Sequence, residues 1–309
     1  MASLPAKGEP SALYLLDLPG LARAVLHIAR PAMTPGGEPS AVTAGVIGGL
    51  ARLLRRQDPR YLAFCTDLGR STFRHELYPD YRRGHAPDSP EYLVQLDRVR
   101  EILALHRIPI LQAEGFSTGD LLASACARAR AAGLDVVLLS KSQEIWQLVR
   151  DGEVVVWDGR SDLATGEAEV RAAFHGVAPA QLPDLFALAG RGDEAPGVPG
   201  VGEKTAARLL LRHGSLDEVL RKWQWEKGKL GLALRDHAGA ARLSLSLVSL
   251  RSDAPIDVDL AELAVGGYDA EALRRVYDEL GLLRLRDEVQ PIDKPTVPDD
   301  LRSRWAGWA

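Results

Sequence analysis

Short apolar runs that alternate with helical patterns constrain the fold of this chain more than any other feature. The runs are four to six residues long and lie at 12–17, 61–65, 108–111, 136–139 and 153–157. Helical periodicity separates them, most clearly at 41–56, 92–106 and 118–131. Short apolar strands of this kind are buried on both faces of a sheet. The pattern therefore predicts an α/β fold with a mostly parallel central sheet flanked by helices.

Acidic residues follow two of these strands directly. Asp17 ends the first run, Asp67 follows the second, and the segment 140–144 follows the run at 136–139. In an open parallel sheet, functional crevices lie at the carboxyl ends of the strands. We therefore expect a polar site where these three strand ends meet.

The character of the chain changes near residue 178, where strand patterns stop and helical patterns continue to about residue 285. This change predicts an α/β domain over 12–177 and a helical region over 178–290. Residues 1–11 are expected to form a flexible N-terminus. Residues 291–309, rich in Pro, Asp and Trp, are expected to form a loosely packed tail.

Composition bounds the class of protein. The chain has 309 residues, a net charge of −4 and two cysteines, so it is neither strongly basic nor a disulfide scaffold. It contains no apolar run of membrane-spanning length, and residues 1–10 lack the apolar core of a signal peptide. We expect a cytoplasmic monomer without a membrane segment.

The run at 197–205 reads Gly-Val-Pro-Gly-Val-Gly-Glu-Lys-Thr and opens a helical pattern. Such a turn points main-chain N–H groups and the positive end of the helix dipole outward, where they attract phosphate. Glu203 separates Gly202 from Lys204, which excludes a nucleotide-binding P-loop. The run favours a hairpin between two helices that holds a nucleic-acid backbone, and an ordinary glycine-rich turn is the alternative.

Basic residues cluster in several places. Lys204, Arg208 and Arg212 share one face of the helix after the glycine run. Arg221, Lys222, Lys227 and Lys229 surround Trp223 and Trp225. For any single cluster, a solvated surface is the simpler interpretation.

The segment 72–83 reads Thr-Phe-Arg-His-Glu-Leu-Tyr-Pro-Asp-Tyr-Arg-Arg, which combines aromatic rings with guanidinium groups. Such rings can stack on unpaired bases, and arginines can bind phosphates bidentately. A surface loop with buried tyrosines is the alternative interpretation.

The segments 72–81, 146–149 and 196–205 together resemble the 5′-nuclease family, which includes the N-terminal nuclease domain of bacterial DNA polymerase I, stand-alone 5′→3′ exonucleases and flap endonucleases. The resemblance covers about residues 13–289. It implies a PIN-like fold with a helical arch at about 70–90 and a helix–three-turn–helix motif with its hairpin at 196–205. The DNA-binding residues that it implies are Tyr78, Tyr81, Arg83, Gly197, Gly200, Gly202, Lys204 and Thr205.

The resemblance also implies hydrolysis of phosphodiesters at 5′ ends or flaps with Mg²⁺ or Mn²⁺, in a role in DNA repair or replication. It further implies a potassium ion held by hairpin carbonyls. Arg82 and Arg74 are the candidate catalytic residues. The candidate metal ligands are Asp17, Asp67, Asp120, Glu144 and Asp193.

The expected carboxylate set is incomplete. Five acids stand at nine expected positions, and Ser117, Gly119, Ser142 and Gly190 occupy the other four. Each lost charge is worth about 4 kcal/mol at roughly 4 Å and an effective dielectric near 20. The set therefore favours one metal ion over two, with no ion as an alternative. The arginine expected near Asp17 is replaced by Ala24, and Arg23 is expected to face elsewhere.

Three hypotheses remain open from the sequence. The chain is an altered nuclease that uses one ion, or a catalytically dead relative that binds flaps, nicks or free 5′ ends. The third hypothesis is a scaffold that retains the fold and binds a protein.

Overall fold

The computed structural model describes residues 2–69, 71–159 and 163–307. Its sheet has seven strands in the order β1-β7-β6-β5-β2-β3-β4. The strands are β1 Ala2–Ser3, β2 Ala12–Asp17, β3 Tyr61–Cys65, β4 Ile110–Leu111, β5 Asp135–Leu139, β6 Val154–Trp157 and β7 Leu163–Thr165. The five strands from β6 to β4 are parallel, whereas β7 and β1 pair antiparallel at the β6 edge. The predicted mostly parallel sheet is confirmed.

Helices of the N-terminal half pack on this sheet. They are α1 Leu18–Ile28, α2 Ala41–Gln57, α3 Phe73–Leu77, α4 Pro90–Leu105, α5 Thr118–Ala131 and α6 Glu167–Ala173, with a 3₁₀ helix at Gln143–Leu148. In the segment where the arch is expected, α3 is the helical part of the described residues and turns occupy 79–84. Arg70 lies outside the described residues.

The chain after residue 178 is helical throughout its described secondary structure. The helices are α7 Leu182–Ala189, α8 Glu203–His213, α9 Leu216–Arg221, α10 Lys229–Asp236, α11 Ala238–Val248, α12 Leu260–Leu263, α13 Ala270–Glu279, α14 Leu283–Glu288 and α15 Asp299–Ala306. Short 3₁₀ helices lie at Pro179–Gln181 and Trp223–Trp225.

The core lies on both faces of the sheet, because successive residues of a strand point in opposite directions. Leu13 and Leu15 of β2 pack in a cluster with α5, α7 and α8. Tyr14 and Leu16 of the same strand pack with α1, α2 and α4. Burial on both faces explains why the parallel strands read as apolar runs rather than as alternating patterns.

Both chain ends are more ordered than the sequence predicts. Ala2 and Ser3 pair with Ala164 and Leu163, so the segment 1–11 begins as an edge strand. In the tail, α15 buries Leu301 and Trp305, and the Trp305 indole N–H donates to the Val258 carbonyl at 2.8 Å. The structure therefore gives these residues defined contacts, and the flexible N-terminus over 1–11 and the loosely packed tail over 291–309 stay predictions.

In the described part of the chain, no helix has the length and apolar character needed to cross a bilayer.

Candidate functional site

A polar cleft of about 160 Å³ lies at the carboxyl ends of β2, β3 and β5. It is lined by Asp17, Pro19, Gly20, Arg23, Asp67, Arg82, Ser117, Thr118, Gly119, Leu122, Ser142, Glu144 and Ile145. Three of the five predicted metal ligands therefore meet here, as do three of the four positions where an acid is missing.

Asp17 lies at the end of β2 and caps α1. Its carboxylate accepts hydrogen bonds from the Gly20 main-chain N–H at 2.8 Å and from the Ser140 hydroxyl at 2.6 Å. Burial raises the pKa of Asp17, and these two hydrogen bonds only partly oppose the effect. Ser140, which lies in the segment 140–144 expected at the strand ends, thus orients the first acid of the cleft.

Asp67 is held from the start of α5. The Thr118 hydroxyl accepts from the Asp67 main-chain N–H at 2.9 Å and donates to its carboxylate at 3.1 Å. Thr118 lies between Ser117 and Gly119, two of the positions where an acid is missing. The structure gives it a role in fixing the Asp67 side chain.

Asp120 is not free to bind a metal. Its carboxylate forms two hydrogen bonds with the Arg74 guanidinium, at 2.6 and 2.9 Å, and both side chains are fully buried. Ser117 and the Arg251 main-chain N–H donate to the same carboxylate. Burial would raise the pKa of Asp120, but the Arg74 interactions outweigh it and hold this pKa below its usual range.

Arg74 is correspondingly not placed for catalysis. Besides Asp120, it donates to the main-chain carbonyls of Leu247 and Ser249, at 2.6 and 2.9 Å, at the end of α11. The guanidinium therefore ties α3 to α5 and α11. The structure therefore gives no support to Asp120 as a metal ligand or to Arg74 as a catalytic residue, because the two side chains pair with each other and neither lines the cleft.

Glu144 lines the cleft from the 3₁₀ helix that follows β5. The Ser142 hydroxyl accepts from its main-chain N–H at 3.2 Å and caps this helix. Burial raises the pKa of Glu144, and the positive charge of Arg74 only partly offsets the effect. Ser142 therefore supplies a cap where the family resemblance implies an acid.

Arg82 lines the cleft, whereas Asp193 does not. Arg82 Nε donates to Glu194 Oε1 at 2.7 Å, and its main-chain N–H donates to the Asp193 carbonyl at 3.0 Å. The Asp193 carboxylate accepts from the Gly84 main-chain N–H at 3.1 Å. Asp193 is thus a contact of the segment 82–84 and not a member of the cleft cluster, which corrects the prediction.

Arg23 also lines the cleft, against the expectation that it faces elsewhere. It lies on α1 and forms an ion pair with Asp88 at 3.1 Å. The sequence-based expectation was that position 24 of the helix, and not position 23, would face the cleft, but Arg23 lines it. The cleft thus contains two guanidinium groups besides its three carboxylates.

A metal site of the expected kind is not formed by these residues. Among the residues that the structure describes, no group of three or more His, Cys, Asp or Glu side chains is arranged to hold a metal ion. Asp120 is neutralised and Asp193 lies outside the cleft. The residues present therefore do not fit a two-metal centre.

The aromatic segment also differs from expectation. Tyr81 is buried, packs edge-on against His75, and has its pKa raised to about 12 by burial, so its ring cannot stack on a base. Tyr78 is half-buried against the core, and the exposed Arg83 pairs with Asp80 at 2.8 Å. The interpretation as a loop with buried tyrosines fits Tyr81.

The hairpin before α8 has a buried side and an exposed side. Val198 and Val201 are buried, and the Gly197 N–H donates to the Ser244 hydroxyl at 2.9 Å. A Cβ on Gly197 would lie 2.4 Å from the Gly190 nitrogen. The absence of a side chain at Gly197 therefore allows the two ends of the loop to pack closely. Gly197 is therefore a packing residue and not a DNA contact as predicted.

The exposed side of the hairpin includes Pro199, Gly200, Gly202, Glu203 and Lys204, and the Glu203 carboxylate lies 3.3 Å from His175. Gly202 precedes the first residue of α8 without a side-chain cap, so the N–H groups of Glu203 and Lys204 have no partner within the helix. Thr205 is half-buried, and its N–H donates to the Gly202 carbonyl at 3.0 Å. The predicted turn is thus exposed at three of its four predicted glycine and lysine positions, and phosphate binding there stays a prediction.

Two family models match consecutive parts of the chain. Residues 12–175 match the 5'-3' exonuclease, N-terminal resolvase-like domain, and residues 177–271 match the 5'-3' exonuclease, C-terminal SAM fold. The chain belongs to the 5′-3′ exonuclease family. The boundary between the two matches lies where the sequence predicted the change from α/β to helical structure.

Two curated relatives of the 5′-3′ exonuclease family illustrate the range of similarity. DNA polymerase I of Bacillus caldotenax is 33% identical over 245 residues, covering 78% of this chain and 28% of the polymerase. The 5'-3' exonuclease of Aquifex aeolicus is 29% identical over 282 residues, covering 91% of this chain and 96% of that protein. The chain spans about a quarter to a third of the polymerase relatives that it matches.

Solved structures share the fold of this 5′-3′ exonuclease family member. The T5 5′-exonuclease with bound zinc superposes with a TM-score of 0.65 at 17% identity, covering 90% of this chain and 99% of that chain. The catalytic core of Rad2 in complex with DNA substrate gives 0.58 at 14% identity, covering 91% and 90%. The predicted PIN-like 5′-nuclease fold with a helical C-terminal region is confirmed.

Proposed function

We propose that this protein binds DNA that carries a 5′ flap, a nick or a free 5′ end, and that it does not hydrolyse that DNA by a two-metal mechanism. The observation that carries the proposal is the accessible hairpin. Gly200, Gly202 and Lys204 are exposed where main-chain N–H groups and the dipole of α8 attract phosphate. The basic face of α8 adds Arg208 and Arg212 beside them.

The comparisons support DNA as the ligand. The T5 D15 flap endonuclease and the Rad2 core, which are similar in fold to this chain, have each been solved in complex with DNA. The first of these complexes also contains metal ions. A potassium ion at the hairpin of this chain stays a prediction from the family resemblance.

The cleft supports the second half of the proposal. Two-metal hydrolysis needs enough negative charge to hold both cations about 4 Å apart. Here Asp17, Asp67 and Glu144 share the cleft with Arg23 and Arg82, whose guanidiniums pair with Asp88 and Glu194. Three carboxylates are few for two divalent cations, and the nearby Asp120 is held by Arg74.

A labelled 5′-flap duplex tests both halves. We expect no cleavage by the wild type in Mg²⁺ or Mn²⁺ above the level of an Asp67→Ala control. We expect salt-sensitive binding, measured by fluorescence anisotropy. Cleavage that disappears in Asp67→Ala would overturn the second half of the proposal and identify a nuclease that depends on this carboxylate. Absence of binding at moderate salt would overturn it in favour of a protein-binding scaffold.

Two hairpin variants locate the binding. Lys204→Ala should weaken binding and reduce the salt slope by about one phosphate contact, because it removes one exposed cation. Gly202→Ala should weaken binding without affecting stability, since φ is −87° and an added Cβ would meet no atom within 4 Å. Lys7→Ala, which removes an exposed lysine outside the hairpin, is the matched control.

A further inference from the structure

An exposed tryptophan lies beyond the far end of α8. Trp225, in the 3₁₀ helix at Trp223–Trp225, is 66% exposed. Single exposed apolar residues are common and need no explanation by themselves. Trp225 differs because its backbone is fixed and its neighbours are cationic.

The backbone at Trp225 is held on both sides. Its main-chain N–H donates to the Lys222 carbonyl at 2.9 Å, and the N–H of Glu226 donates to the Trp223 carbonyl at 3.0 Å. The buried Glu226 carboxylate accepts from Arg212 at 2.9 Å and bonds to His213 at 3.1 Å. The adjacent Trp225 ring is therefore presented on a rigid turn, which lowers the entropy cost of a contact.

Positive charge connects this turn to the hairpin. Lys204, Arg208 and Arg212 are exposed along α8, and Lys227 and Lys229 are exposed just after Trp225. Eight residues of helix separate Lys204 from Arg212, which corresponds to about 12 Å. That length matches three to four base-pair steps of roughly 3.4 Å.

The carboxylates beside this surface are already paired. Glu226 forms an ion pair with Arg212 at 2.9 Å and a hydrogen bond with His213 at 3.1 Å. Glu218 pairs with Arg221 at 2.6 Å and with Lys222 at 2.8 Å. The Lys222 ammonium lies 5.4 Å from the centroid of the Trp225 ring, so cation and aromatic ring form one surface.

We propose that Trp225 stacks on an unpaired nucleobase of the DNA that the hairpin holds, while Lys227 and Lys229 contact neighbouring phosphates. This inference rests on the proposed DNA binding and adds a second contact to it. The partner is single-stranded DNA adjoining a duplex, because a base inside a duplex exposes only its edges to a ring. Aromatic rings and lysines together are the usual means of holding unpaired bases without sequence preference.

The test compares two DNA ligands of equal duplex length, one blunt and one with a single-stranded overhang, by anisotropy in EDTA. Trp225→Ala should bind the overhang DNA about tenfold more weakly, which is within the range for loss of one base–aromatic stack. Its affinity for blunt DNA should change less than twofold. Trp225→Phe should restore most of the affinity because it retains a ring.

The Leu232→Ala variant, which removes another exposed apolar side chain, controls for general surface effects. Wild-type tryptophan fluorescence should be quenched by overhang DNA more than that of Trp225→Phe. If the wild type binds both DNAs and Trp225→Ala binds them equally well, this inference alone is overturned. An equal loss on both DNAs also overturns base stacking. If the wild type binds neither DNA, both the proposed DNA binding and the stacking by Trp225 are overturned.

Discussion

The side chains of Arg74 and Asp120 are both inaccessible to solvent, and each satisfies the charge of the other through two hydrogen bonds. Arg74 also satisfies two main-chain carbonyls at the end of α11. A buried pair of this kind contributes little net stability against an apolar replacement, but removing one partner leaves an uncompensated charge. The pair therefore makes correct packing of three helices depend on one guanidinium.

Replacing Arg74 by Met should destabilise the protein by about 3–5 kcal/mol, because Asp120 then remains buried and unpaired. The double variant Arg74→Met/Asp120→Leu should recover only part of that loss, since no buried charge remains but the main-chain groups that the pair satisfies lose their partners. Urea unfolding at pH 7 measures both effects. A cost below about 1 kcal/mol for Arg74→Met would mean that the pair is not desolvated in solution.

The sequence identified the residue types of the cleft better than their partners. Asp17, Asp67 and Glu144 could be predicted because they follow buried strands. The pairing of Asp120 with Arg74 could not be predicted, because the two residues lie 46 positions apart and no spacing pattern reveals such a pair. The hydrogen bonds of Ser140 and Thr118 could not be predicted for the same reason, since they depend on contacts with Asp17 and Asp67.

At the scale of elements, the loop between α7 and α8 depends on backbone contact. Gly197 has φ +68° and lies against Gly190. A Cβ added to Gly197 would lie 2.4 Å from the nitrogen and 2.6 Å from the Cα of Gly190. Val198 N–H donates to the Leu188 carbonyl at 2.9 Å, which returns the loop to the end of α7. The exposed face of the hairpin is therefore positioned by its buried face.

Gly197→Ala should destabilise the protein by about 3 kcal/mol or more, because left-handed strain and a backbone clash act together. Gly200→Ala is the matched control: it has φ +81° but would meet no atom within 4 Å, so about 1 kcal/mol is expected. Thermal and urea unfolding compare the two variants. Equal costs would argue against the close contact at Gly190.

The same scale explains which elements could be predicted. The parallel strands β2 and β3 have the predicted bounds because burial on both faces makes them apolar throughout. The edge strands β1 and β7 have two and three residues and depend on pairing with each other and with β6. Their order comes from tertiary contacts, so local sequence could not reveal it.

At the scale of the whole molecule, α13 of the helical region packs against α4 of the α/β domain. His106, at the end of α4, forms a 2.7 Å hydrogen bond with the Tyr277 hydroxyl and an edge-on ring contact with Tyr268. Burial lowers the pKa of His106 to about 4. The two parts of the chain are thus joined through a histidine that stays neutral at physiological pH.

This contact should make stability depend on pH. Below about pH 6.5 the unfolded chain protonates His106 while the folded protein does not, so stability should fall as pH drops from 6.5 to 4. The full contribution is about 3 kcal/mol. The difference in unfolding free energy between wild type and His106→Gln, measured from pH 7 to pH 4, should shrink by this amount. If the difference in unfolding free energy stays constant between pH 7 and pH 4, the lowered pKa of His106 is contradicted.

The glycines at two positions where the family resemblance implies an acid differ in how easily they would accept a side chain. An added Cβ on Gly190, where φ is +78°, would lie 3.0 Å from the Pro196 carbonyl oxygen, and one on Gly119 would lie 2.8 Å from the Leu250 side chain. An aspartate at 190 would strain the main chain, whereas one at 119 would need only a shift of the Leu250 side chain. A carboxylate introduced at 119 would therefore disturb the fold less than one introduced at 190.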